Sequence, residues 1–172
     1  LISFGRQHLT DPDFMNKVKN GNLEDIRWCI ACNQGCIERL TFEMKSATCT
    51  FNPQCGREYL ETPLQETQKG SSSPLFASGG EGKNGKNVWV IGAGPAGLSA
   101  ALAASDKGLA VEIFEKEAGP GGQVQSASKP PHKEVFFDWI NWALRQLEKR
   151  GVKIHYKSEV GREMLQQNKP DS

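Results

Sequence analysis

Residues Asn87 to Glu115 read NVWVIGAGPAGLSAALAASDKGLAVEIFE, and the order of residue types in this stretch decides the fold. Val88 to Ile91 is a short apolar run that predicts a fully buried parallel strand. It breaks directly into Gly92-Ala93-Gly94-Pro95-Ala96-Gly97, a G-x-G-x-x-G. Leu98 to Ser105 is rich in Ala and Leu and predicts a helix. On it Gly97, Ala101 and Ala104 form a narrow face of small residues that permits close approach to a sheet. Lys107-Gly108 ends that helix, with Gly108 suited to a left-handed cap. Leu109 to Phe114 predicts a second parallel strand, and Glu115 falls at its carboxyl end, where a carboxylate can hydrogen-bond a ribose hydroxyl.

A dinucleotide pyrophosphate must approach bare backbone N–H groups at a helix N-terminus, so a side chain at Gly92 or Gly94 would hold the phosphates off. Alone, G-x-G-x-x-G also fits an ordinary glycine-rich turn. Strand, turn, helix, strand and acid in this order predict a Rossmann-like parallel βαβ unit that binds a dinucleotide. Glu115 in place of a basic residue argues against a 2'-phosphate, and so against NADP at this position.

Downstream, Lys116 follows the acid and Gly119-Pro120-Gly121-Gly122-Gln123 forms a second glycine-rich loop. It reads either as a plain turn or as part of the ligand site, since ligands bind at the carboxyl ends of strands in such sheets. Lys133 to Arg150 predicts a helix with Phe136, Ile140, Ala143 and Leu147 on one face, widened by Trp139 and Trp142 as core, and Gly151 stops it. Val152, Ile154 and Tyr156 alternate as a further strand. His8, His132 and His155 form no group that suggests catalysis or metal binding.

Upstream, residues 64–86 are polar and rich in Gly and Ser and predict a flexible linker. Before it lies Cys29-Ile30-Ala31-Cys32-Asn33-Gln34-Gly35-Cys36, with Cys49 after a loop: C-x2-C-x3-C-x12-C. This spacing can wrap a cubane cluster with each thiolate on a different iron, close a tetrahedral zinc site, or be an unrelated thiol cluster. Gly35 is expected to let the backbone turn near the metal. Cys55 stands apart and reads as a buried or spare thiol. Leu1 to Arg6 reads as a strand end, and Gly5-Arg6 can offer an N–H and a guanidinium to a phosphate or can be an ordinary surface pair. Thr10-Asp11-Pro12 predicts a capped helix start with Phe14 and Val18 one turn apart, and Asn22 predicts the cap of a short helix from Leu23 to Trp28.

The chain of 172 residues has a formal net charge of +1, which gives no reason to expect nucleic acid or a membrane surface as partner. No apolar stretch is long enough to span a bilayer, and five cysteines, an odd number, suit a metal site in the cytoplasm or an equivalent reducing matrix better than a secreted disulfide framework. The chain opens without Met, and its nucleotide-binding unit carries only its first strands, so it reads as an internal piece of a longer protein.

Taken together, FGRQHLTDPDFMNKVKNG, IRWCIACNQGCIERL with Cys49, NPQCGRE, VWVIGAGPAGLSAA, VEIFEK and GGQ resemble the multidomain NADH:flavin oxidoreductases, the group of 2,4-dienoyl-CoA reductase and trimethylamine dehydrogenase. The resemblance implies that 1–21 is the end of an FMN-binding (β/α)8 barrel, 22–63 an iron–sulfur segment and 87–172 the first part of an FAD- or ADP-binding domain. It further implies a 4Fe-4S cluster on Cys29, Cys32, Cys36 and Cys49, and an FMN-phosphate contact at Gly5 and Arg6. The nucleotide would lie on Gly92, Gly94, Pro95, Ala96, Gly97, Glu115, Lys116, Gly121, Gly122 and Gln123. Electrons would run from NAD(P)H through FAD and the cluster to FMN, then to an activated C=C bond, or in the other direction from an amine. The partners implied are a small-molecule substrate and the remainder of the chain, with a homo-oligomer left open. Most of the barrel is absent, so no residue here is assigned a catalytic role. Two rival readings stand beside this one: a nucleotide-binding module with structural zinc, and an electron-input subunit of glutamate-synthase type.

Overall fold

The computed structural model describes residues 2–58, 86–168, 170 and 171, and the chain divides into two compact units, Leu1–Ser72 and Ser73–Ser172. The stretch expected as a linker, 64–86, lies outside the described residues apart from Lys86.

In the first unit, helix α1 spans Arg6–Thr10 and α2 spans Phe14–Lys19, followed by a 3-10 turn at Leu23–Asp25, a π-turn at Gln34–Glu38 and a short α3 at Arg39–Thr41. The expected strand at the chain's start is not formed by the described residues, and Arg6 instead opens α1. A strand needs a ladder partner, and the described residues before Arg6 have none. Helix α2 begins at Phe14, later than Pro12 implied, because Asp11 turns inward. Its Oδ2 accepts from Lys17 Nζ at 2.7 Å and from Arg27 N at 2.9 Å, and its Oδ1 accepts from Asp13 N at 3.2 Å. The bond to Arg27 also limits the helix expected from Leu23 to Trp28 to a 3-10 turn, since Ile26 must turn extended (φ −73°, ψ 125°) to bring Arg27 alongside α1. Asn22 makes no side-chain cap bond there. Among the described residues of this unit Phe14, Ile26 and Cys55 are the buried apolar side chains, with Phe4 and Trp28 edge-on to Phe14 at ring separations of 5.1 and 5.7 Å.

In the second unit, β1 (Asn87–Ile91), β2 (Ala110–Phe114) and β3 (Lys153–His155) form a parallel sheet in the order β1-β2-β3. Helix α4 (Pro95–Asp106) joins β1 to β2, while α5 (Val124–Ala127) and α6 (Val135–Lys149) join β2 to β3, and α7 (Arg162–Gln167) follows. Gly108 at φ +74° closes α4 as a left-handed cap. Helix α4 packs on β1 and β2, and α6 packs on α4. Between them Leu98, Ala101, Val111, Ile113, Ile140, Ala143 and Leu147 are all buried, as the apolar periodicity of α6 and the small face of α4 imply. Trp139 and Trp142 are buried with them. On Phe114 of β2, Trp89 from β1 and His155 from β3 pack at ring separations of 4.6 and 4.7 Å.

Strand β1 departs from the expectation of full burial: its middle residues are half-buried and Ile91 is 65% exposed. Among the described residues β1 pairs only with β2, and at its start Asn87 is met by Asp171, whose Oδ2 accepts from Asn87 N at 2.8 Å and whose N–H donates to Asn87 O at 2.9 Å.

The packing of α4 rests on Gly97. A Cβ there would stand 1.9 Å from the Gly92 carbonyl oxygen and 3.3 Å from Val90 Cγ1. Gly97→Ala is therefore expected to destabilise this unit by about 3 kcal/mol, the upper range for overpacking, read as a lowered midpoint in urea. Asp11→Asn should cost on the order of 3 kcal/mol in the first unit, because it strips the buried Lys17 ammonium of its carboxylate. Unfolding curves unchanged from wild type would contradict either assignment.

Candidate cofactor sites

The second unit places its two glycine loops side by side. Gly92 continues the sheet through its N–H to Phe114 O at 2.7 Å, then takes φ +99° and turns the chain into α4. A Cβ at Gly92 or Gly94 would meet nothing within 4 Å, so the face beside the first turn of α4 is open. Pro95 and Ala96, its first residues, are exposed, and Pro95 gives up no N–H that the helix needs. The Gly121 N–H donates to Ala93 O at 2.8 Å, and a Cβ on Gly122 would lie 3.5 Å from Gly94 Cα. Gly121 and Gly122 both have positive φ, 103° and 52°, which lets their backbone lie this close. Gln123 follows and leads into α5. The second glycine loop therefore packs against the first.

Glu115 is 6% exposed and fixes the turn from below. Its Oε2 accepts from Ala93 N at 2.7 Å and its Oε1 from Glu117 N at 2.9 Å. These backbone N–H donors, Glu117 first, hold the carboxyl below its ordinary value, because they favour the charged form. A carboxylate oxygen carries two lone pairs, so both oxygens keep acceptor capacity for a ribose hydroxyl after these bonds. The sequence pattern found the acid but not this backbone role. Lys116 beside it is exposed, and burial with the Glu115 charge raises the Tyr156 phenol above its ordinary value.

In the first unit, Cys29, Cys32, Cys36 and Cys49 line one pocket, together with Arg6 and Thr10. All four are free thiols and partly exposed. Among the described residues no group of three or more His, Cys, Asp or Glu side chains closes tightly enough to hold a single metal ion. The loop carrying the first three is bent hard: Ala31 and Asn33 take φ 54° and 63° on either side of Cys32, and the π-turn carries Cys36. Left-handed non-glycine residues cost energy and persist where surrounding structure holds them, commonly at functional sites.

Gly35 sits in that π-turn, where two stretches of the chain cross closely. Its Cβ would lie 2.8 Å from Thr48 O, and Thr48 N donates to Gly35 O at 2.6 Å. The glycine is needed because the returning chain crosses it, which brings Cys49 back to the first three. Asn52 Nδ2 ties that return to Leu9 O at 2.9 Å, and Gln7 Oε1 accepts from Cys29 N at 2.9 Å. Cys55 is buried and absent from the pocket lining, as its isolation in sequence implies; burial raises its thiol pKa. The Arg6 guanidinium meets the cysteine loop by donating to Asn33 Oδ1, while a Cβ on Gly5 would have open space around it. Sequence reasoning missed Thr10 and Thr50, whose hydroxyls stand 3.5 Å from Cys49 Sγ and Cys32 Sγ.

Comparison with known proteins agrees with both units. An NAD(P)-binding Rossmann-like domain matches residues 90–154. The bilirubin reductase of Mediterraneibacter gnavus is 35% identical over 100% of this chain and 24% of its own length. The solved structure of a 2-naphthoyl-CoA reductase complex superposes with a TM-score of 0.78 at 31% identity, over 96% of this chain and 23% of that one. Histamine dehydrogenase from Rhizobium sp. 4-9 superposes with a TM-score of 0.74 at 28% identity, over 96% and 24%. The chain spans about a quarter of the length of the relatives it matches. Over nearly all of its own length, the chain is homologous to oxidoreductases of the 2,4-dienoyl-CoA reductase and trimethylamine dehydrogenase type.

Proposed function

We propose that the chain is the electron-transfer portion of a flavin- and iron–sulfur-dependent oxidoreductase. The observation that carries this reading is the gathering of Cys29, Cys32, Cys36 and Cys49 around one pocket, in a chain that also builds two adjoining glycine loops at a helix N-terminus. When bound, FAD, a 4Fe-4S cluster and FMN would supply a path for electrons from NAD(P)H to an activated C=C bond such as an enoyl or dienoyl thioester, or from an amine in reverse.

The chain's own part is to hold and position. Four cysteines that line one pocket at C-x2-C-x3-C-x12-C spacing suit a cubane, with each thiolate on a separate iron. Gly92 and Gly94 carry no side chain to hold a pyrophosphate off the helix start formed by Pro95, Ala96 and Gly97. Gly121, Gly122 and Gln123 would line the same site, with Lys116 at its rim. Glu115 would add ribose hydroxyls to the two N–H groups it already holds. Arg6 keeps further guanidinium donors, beyond the one on Asn33, for an FMN phosphate beside Gly5. By the same reading 1–21 closes the FMN barrel, 22–63 carries the cluster and 87–172 begins the FAD or ADP domain.

Full-length protein prepared without oxygen is expected to contain about four irons and four acid-labile sulfides per chain, with bound flavin. One zinc and no sulfide would contradict the reading and favour a structural zinc module. Cys36→Ser should lose iron and sulfide yet keep the flavin held by the second unit.

Glu115→Gln should weaken flavin retention about tenfold, the loss of roughly one charge-assisted hydrogen bond. The pH dependence has a definite sign. Because folding lowers the Glu115 pKa below its ordinary 4.5, its contribution is fully present above that value and is lost as pH falls through the folded value. Wild-type flavin retention should therefore fall more steeply than that of Glu115→Gln once the pH drops below 4.5. Equal acid sensitivity in both proteins would remove Glu115 from the nucleotide site.

A further inference from the structure

We propose that the Thr10 hydroxyl donates a hydrogen bond to Cys49 Sγ and thereby raises the electron affinity of the cluster, an inference that rests on the iron–sulfur reading above. Thr10 is 2% exposed, and its Oγ1 lies 3.5 Å from Cys49 Sγ and 3.2 Å from the Arg6 carbonyl oxygen. A hydroxyl has one proton and two acceptors compete for it here. While Cys49 is a thiol, its S–H can donate to Oγ1 and the hydroxyl can back-bond to Arg6 O across one turn of α1. A metal-bound cysteine is a thiolate and can only accept. The hydroxyl proton then faces a charged acceptor, and a charge-assisted bond is about twice as strong as a neutral one.

The position of Thr10 is fixed from behind. Arg27 Nε donates to Thr10 O at 2.7 Å, and the Arg27 backbone N–H is held by Asp11 Oδ2 at 2.9 Å. Burial of the residue keeps water from replacing its hydroxyl. A one-electron reduction of a bound cluster, with no bond broken and no proton moved, would make the Cys49 sulfur a better acceptor. A donor fixed at Cys49 therefore favours reduction, one of the means by which proteins set such potentials. Thr50 offers a contrast: its Oγ1 is also 3.5 Å from a ligand sulfur, that of Cys32, but Thr50 is exposed, and water can take its place.

The test is a dithionite redox titration of the full-length protein followed by electron paramagnetic resonance, with iron and sulfide measured on every variant. Thr10→Val is expected to keep its cluster and lower its electron affinity about tenfold, equivalent to about 59 mV for a one-electron couple. Thr10→Ser should restore the wild-type potential, and Thr50→Val should shift it less than Thr10→Val. A loaded Thr10→Val protein with the wild-type potential would overturn the proposal. If Thr10→Val does not load, wild-type protein exchanged into deuterated water decides. A hyperfine coupling from an exchangeable deuteron beside the reduced cluster, retained in Thr50→Val, supports the donor, and its absence there overturns it. Iron and sulfide missing from the wild type would sink the parent reading, and this one with it.

Discussion

The buried carboxylate of Asp11 joins three stretches of the first unit. It accepts from Lys17 on α2, from the Arg27 backbone just before the cysteine loop, and from Asp13 in its own turn. Charges taken out of water are stable only when paired and hydrogen-bonded, so Lys17 and Arg27 are held where Asp11 is. Arg27 in turn donates to Thr10 O, and burial lowers its pKa while the Asp11 charge opposes that shift. The consequence is positional: the chain enters Cys29 extended alongside α1, and α1 lends Thr10 and Arg6 to the pocket wall.

Glu115 does comparable work in the second unit with a different outcome. Its two oxygens pin the glycine turn and the start of the next loop, so the open face of Gly92 and Gly94 is held in place before any nucleotide arrives. Gly121 then anchors the second loop on Ala93 O. Preorganised N–H groups bind an anion without first spending energy on ordering themselves. Both units thus use one desolvated carboxylate to hold irregular backbone in a shape that could receive a cofactor.

Much of this was legible in sequence where the requirement is local. The glycine turn, the Gly108 cap and the apolar face of Ile140, Ala143 and Leu147 each follow from the periodicity or conformation of neighbouring residues. What escaped depends on residues far apart. Asp11 looks like a helix cap, and only the fold shows that it reaches Arg27. Gly35 looks like a turn residue, although the constraint comes from Thr48 crossing it. Thr10 reads only as part of a helix start, because its partner Cys49 lies in another part of the chain. The strand expected before Arg6 and the full burial of β1 both presuppose neighbouring strands that the described residues do not include.

The central claim is that four cysteines around one pocket hold a polynuclear iron centre. X-ray absorption at the metal edge of the full-length protein tests it directly. The account predicts an iron edge with a sulfur shell and a second shell of iron neighbours, both lost in Cys36→Ser. A zinc edge with a single sulfur shell at about 2.3 Å and no metal neighbour would contradict it.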